Sequence, residues 1–173
     1  MRNGRIDLRF AGAGGQGIVM AGRILAEAAL RAGRVAAHSQ AFGPASRGGA
    51  SRSDVIVADG EVGFPLVRNL HALVALTDEA LHKYRGDLTD GGLLVVDELA
   101  ACDDATLVAP IIETARTTLG SDLASGVVSL GILSRLVDLV DPGLLSTTIA
   151  ERVPARVRDK NLEAFAAGRE LVK

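Results

Sequence analysis

The sequence predicts an α/β layer fold, with a mostly parallel or mixed sheet flanked by helices. Three observations carry this. Strand-like and helix-like apolar patterns alternate along the chain, and the strongest strand candidates are continuous apolar runs. The first strand candidate passes through a cluster of glycines directly into a helix. At 173 residues the chain has the length of about one domain.

Ile6, Leu8 and Phe10 alternate with Asp7 and Arg9, which predicts a first strand running into Ala11. It ends at Gly12-Ala13-Gly14-Gly15-Gln16-Gly17. Over residues 18–32 the period lengthens to that of a helix. Arg23, Glu27 and Arg31 form a polar stripe there, while Ile24, Leu25, Ala28 and Ala29 face inward. Gly33 closes the helix. Residues 35–39 read as a second strand, 41–50 as a glycine-rich loop and 54–58 as a third strand. Asp59-Gly60 predicts a hairpin over 53–63, which is the reason to expect a mixed sheet. The apolar run 70–76 suits a buried strand, with Thr77 or Asp78 capping a short helix through Tyr84. Asp90-Gly91-Gly92 turns into a buried strand at 93–96 that ends in Asp97. Residues 104–119 and 127–140 read as helices, with Pro110 at a first turn or a kink. Asp141-Pro142-Gly143 is a break, and the last helices span 146–152 and 159–172.

Composition narrows the function. The chain is 48% hydrophobic and 23% charged, with 19 basic against 21 acidic side chains, so it is neither disordered nor a source of a field that draws nucleic acid or anionic lipid. Four Phe, one Tyr and no Trp leave too few rings for a stacking platform on RNA or single strands. No apolar run approaches the ~20 residues of a membrane span, and the first ten residues lack the apolar core of a secretory signal. The expectation is a single-domain cytoplasmic protein over residues 1–173. Its apolar content predicts a homo-oligomer when isolated. Cys102, the only cysteine, cannot form an intrachain disulfide or ligate an iron–sulfur cluster. His38, His71 and His82 have no metal-ligand spacing, and no serine-hydrolase motif surrounds Ser129 or Ser134. Asp97-Glu98 and Asp103-Asp104 read as strand-end and helix-capping residues.

Two loops remain as candidate sites. Gly12, Gly14 and Gly17 carry the G-x-G-x-x-G spacing between a strand and a helix, a Rossmann-like beginning whose unhindered N–H groups suit an anion such as a phosphate. Gly15 and Gln16 complete that loop. A dinucleotide site wants an acid about 20 residues on, but Ser39, Gln40 and Ala41 stand there. The second loop holds Gly43, Ser46, Arg47, Gly48, Gly49 and Ser51. A guanidinium on so open a backbone suits a carboxylate, a phosphate or a partner's backbone. The chain contains no complete set of catalytic groups, so no catalytic residue is assigned. That points to a subunit whose chemistry lies partly elsewhere.

The first loop followed by Gln40-Ala41-Phe42-Gly43-Pro44-Ala45-Ser46-Arg47-Gly48-Gly49-Ala50-Ser51 resembles the gamma-type subunit of 2-oxoacid:ferredoxin (2-oxoacid:acceptor) oxidoreductases. The resemblance continues through Val55-Ile56-Val57 before a turn and Pro65, the Leu73-Val74-Ala75-Leu76 strand, and Gly131 in a late helix. Asn161, Phe165 and Gly168 match the family's terminal N-x-x-A-F-x-x-G. Departures are Phe42, where Tyr is common, and Ala45-Ser46, where the stretch is usually acidic. The resemblance implies a part in CoA-dependent oxidative decarboxylation of a 2-oxoacid with ferredoxin as electron acceptor, closest to the 2-oxoglutarate type. It implies thiamine diphosphate, Mg and iron–sulfur clusters in alpha/beta-type and ferredoxin-type partner subunits. This chain itself would bind none of these, only contacting coenzyme A or holding the catalytic subunits in register. The alternatives are a stand-alone nucleotide-binding protein using the 12–17 loop and a non-catalytic assembly subunit.

Overall fold

The computed structural model describes residues 4–43, 49–100 and 102–173. Its six-stranded sheet has the order β2-β3-β1-β4-β5-β6. The strands are β1 (Ile6–Gly12), β2 (Val35–Ala41), β3 (Ser51–Ala58), β4 (Leu70–Ala75), β5 (Leu88–Asp97) and β6 (Leu107–Ala109). β1, β4, β5 and β6 run parallel, and β3 is antiparallel to both of its neighbours, β1 and β2.

The sheet is therefore mixed, but not through the hairpin expected at 53–63. β2 occupies one edge of β3 (Val35 opposite Ala58) and β1 the other (Ile6 opposite Val57), so no edge is left for a strand after Asp59. Asp59 instead pairs with Arg34 at 2.8 Å.

Six helices accompany the sheet among the described residues: α1 (Ile18–Arg31), α2 (Asp78–Tyr84), α3 (Ile111–Leu119), α4 (Ser125–Leu136), α5 (Pro142–Arg152) and α6 (Arg158–Glu170). α1 has the expected polar stripe, and Thr77 caps α2 by accepting the Ala80 N–H. Four expected elements change. Residues 104–119 begin as β6, because pairing with β5 (Val95 opposite Leu107) overrides local propensity, and the helix starts only after Pro110. The helix expected over 127–140 ends at Leu136, and Leu139 and Val140 are buried in the bend that follows. Asp141-Pro142-Gly143 is a cap rather than a break: Asp141 Oδ1 accepts the Gly143 and Leu144 N–H groups, so α5 begins at Pro142 instead of 146. Asp90-Gly91-Gly92 is an excursion inside β5, where four residues of β5 (89–92) stand against one of β4 (His71).

The two faces of the sheet differ. Leu8, Phe10, Val55, Val57, Val74 and Val95 join α1, α3, α4, α5 and α6 in one large apolar core. Ala11, Leu73, Ala75, Leu94 and Val96 on the opposite face meet only α2 and nearby loops. α4 and α6 cross closely: a Cβ on Gly131 would lie 2.2 Å from Phe165 O, and one on Gly168 2.1 Å from Val128 O. That contact is the physical content of the Gly131 and Phe165–Gly168 pattern in the sequence. Among the described residues no helix is long and apolar enough to cross a membrane.

Candidate functional site

The first loop leaves β1 at Gly12 and enters α1 at Gly17, whose φ of 72° is left-handed. A Cβ on Gly17 would lie 2.1 Å from Leu123 O, so only glycine fits there. Gln16 is buried, and its side-chain oxygen accepts the Ala13 N–H at 2.8 Å, closing the loop on itself. Its carbonyl accepts the Gly126 N–H at 3.0 Å and so ties the loop to α4. Gln16 is thus a structural brace rather than an exposed ligand. Gly14 and Gly15 are exposed, with open space where a Cβ would stand. α1 has no side-chain cap and no acid in its first turn, so its first N–H groups and positive dipole end are left for an anion.

The second loop springs from the same end of the sheet. Ser51 pairs with Gly12, and Arg52 lies opposite both Ala11 and Ala41. Gly43 and Gly49 close its base, where a Cβ on Gly43 would fall 1.8 Å from Gly49 O. The Gly43 N–H donates to Ser51 Oγ at 3.4 Å. The structure therefore brings Gly12, Gly14, Gly15, Gln16, Gly17, Gly43, Gly49 and Ser51 together. Ser46, Arg47 and Gly48 lie outside the described residues.

Between the loops and α1 runs a groove of about 1030 Å³. Ala13, Gly14, Gly15 and Gly17 form one end. Val19, Met20, Leu30, Phe42 and Leu123 give it an apolar wall, and Arg23, Glu27, His38 and Arg152 supply its polar groups. Arg152 and Arg31 both bond Glu27, and the guanidinium of Arg152 holds that carboxyl below its usual range. His38 Nε2 is 2.9 Å from Ser53 Oγ. Burial, then the nearby Arg23 charge, pushes the His38 imidazole below its ordinary pKa, so it faces the groove neutral.

Sequence reasoning missed Phe42, Arg23, His38, Leu123 and Arg152 as lining residues. Arg23 could have been found, because it begins the polar stripe within two turns of the glycine loop. Arg152 could not, since it is 125 residues from Glu27.

Other polar groups stay outside the groove. Asp97 is buried at the end of β5 and accepts the Ile112 N–H at 2.8 Å, which caps α3 as its position suggested. The Cys102 thiol is raised by burial and bonds Asp104. Among the described residues no three His, Cys, Asp or Glu side chains are placed to hold a metal ion.

The sequence matches the pyruvate ferredoxin/flavodoxin oxidoreductase family over residues 7–171. It is 37% identical to the 2-oxoglutarate synthase subunit KorC of Methanothermobacter thermautotrophicus, over 97% of this chain and 95% of the relative. The keto/oxoacid ferredoxin oxidoreductase gamma subunit from Geobacter sulfurreducens superposes with a TM-score of 0.86 at 39% identity, covering 96% and 95% of the two chains. The 2-oxoglutarate:ferredoxin oxidoreductase from Magnetococcus marinus, solved with 2-oxoglutarate, coenzyme A and succinyl-CoA bound, shares the fold with a TM-score of 0.84 at 24% identity. That match covers 99% of this chain and 31% of the Magnetococcus chain.

Proposed function

The chain belongs to the pyruvate ferredoxin/flavodoxin oxidoreductase family as a gamma-type subunit of a 2-oxoacid:ferredoxin oxidoreductase, and from that premise we propose that it presents coenzyme A to a 2-oxoglutarate-type complex. The stand-alone nucleotide-binding alternative gives way. The whole chain acts as one domain in the cytoplasm, docked on alpha/beta-type and ferredoxin-type subunits that carry thiamine diphosphate, Mg and the iron–sulfur clusters. These groups supply the decarboxylation and the electron path. The residues of this chain bind and orient the acyl acceptor.

The observation that carries the reading is the mixed chemistry of the groove. Its glycine-loop end offers backbone N–H groups and a helix N-terminus, which suit phosphates. Arg23 adds cationic charge along its length, where Arg152 is paired with Glu27, and Val19, Met20, Leu30 and Phe42 form an apolar wall for the aliphatic arm of the coenzyme. Ser51 lies between the loops, and Ser46 and Arg47 are assigned by sequence to the same role on the second loop.

Gly14→Asp tests this reading. The position tolerates a side chain sterically, so the chain folds, but a carboxylate now faces the phosphates. In the complex reconstituted with its catalytic subunits, the KM for coenzyme A in oxoacid-dependent viologen reduction rises about tenfold or more, the size of a charge-assisted hydrogen bond lost to repulsion. An unchanged KM overturns the reading.

A further inference from the structure

We propose that Tyr84 and Glu79 of α2 are positioning residues for the coenzyme A groove and act through the backbone of Ala50, an inference that rests on the function proposed above. Ala50 is buried, and both ends of its backbone are held by side chains from α2. Its N–H donates to Glu79 Oε1 at 3.2 Å, and its carbonyl accepts from Tyr84 OH at 3.2 Å and from Lys83 Nζ at 3.4 Å. A helix of only seven residues thus sends three side chains to the backbone of one residue.

Ala50 sits where the second loop returns to the sheet. The next residue, Ser51, pairs with Gly12 of the first loop and lines the groove. Its hydroxyl accepts the Gly43 N–H, which locates Phe42 on the groove wall. A clamp on one face of the sheet therefore sets two lining residues on the other.

Tyr84 is itself fixed from below. The buried Arg9 guanidinium lies 4.7 Å from its ring centre, and Arg52 lies 5.9 Å from it. Arg9 is held by Asp54 through two bonds, of 2.6 and 2.9 Å, and by Asp87. This charged stack stands against the tyrosine ring, and the hydroxyl reaches the Ala50 carbonyl.

The test uses the reconstituted complex, with coenzyme A as the varied substrate and viologen reduction as the readout. Tyr84→Phe keeps the ring on Arg9 and removes only the hydroxyl. The KM for coenzyme A rises about three- to tenfold, the worth of one neutral hydrogen bond, while kcat stays within about twofold. Glu79→Ala does the same, and Glu79→Gln, which keeps an acceptor oxygen, restores the KM. A lowered melting midpoint of the isolated chain with an unaltered KM in the complex overturns the proposal, since that is all a structural contact would give. Gly14→Asp separates the two readings. If it raises the KM while Tyr84→Phe does not, the clamp alone fails. If it is also silent, the groove is not the coenzyme site and the clamp falls with it.

Discussion

The two faces of the sheet solve the burial problem in opposite ways. On the face covered by α1, α3, α4, α5 and α6, Leu8, Phe10, Val55 and Val74 pack into an uncharged core, and the closest approaches are made by glycines. On the α2 face, Arg9 and Asp54 are 2% and 4% exposed and bonded to each other. Burial works to lower the Arg9 pKa, but its bonds to Asp54 and Asp87 outweigh that and hold it above the ordinary value. The first face supplies cohesion, which tolerates no added volume. The second supplies direction, because a bonded guanidinium fixes its neighbours where an apolar side chain would let them slide. The loop that returns at Ala50 is held by the second.

The largest expected effect breaks the charged face. Arg9→Met leaves the Asp54 carboxylate buried with only Arg52 at 3.6 Å, and it lowers stability by about 3–5 kcal/mol in urea unfolding. Pairing it with Asp54→Leu removes the orphaned charge and recovers most of that loss. If the double variant is as unstable as the single one, the charges are part of the cohesion and the contrast between the faces fails.

Next comes the apolar face. Gly17→Ala forces a left-handed residue to carry a Cβ against Leu123 O, at a cost of roughly 2–5 kcal/mol from backbone strain and overpacking together. The measurement is again the urea midpoint. A loss below about 1 kcal/mol would mean that the α1–α4 contact yields, and the face would not be close-packed as described.

The smallest effect sharpens the comparison through the one histidine between α1 and the sheet. With its folded pKa depressed, His38 binds fewer protons folded than unfolded in the acid range. Its stability contribution is in place above the ordinary histidine pKa and is lost as pH falls below it toward the depressed folded value. His38→Gln should flatten the dependence of the melting midpoint on pH between about 7 and 5. An unchanged slope assigns the titration to other groups.

What the residues decided by themselves was local. The alternation of Ile6, Leu8 and Phe10, the glycines at 12–17, the stripe of Arg23, Glu27 and Arg31, and the Thr77 cap are signals within one turn or one strand. Each formed where its own geometry required. The family pattern of Gly131, Asn161, Phe165 and Gly168 was equally legible, although its reason, the α4–α6 crossing, was not. Tertiary structure decided the rest. β6 exists because β5 offers an edge to residues 107–109, and the hairpin after Asp59 is missing because both edges of β3 were already filled. The pairing of Arg9 with Asp54 joins residues 45 apart, and that of Arg152 with Glu27 residues 125 apart. Strand edges and ion pairs are claimed by whichever partner the fold brings near, and neither composition nor period encodes that distance.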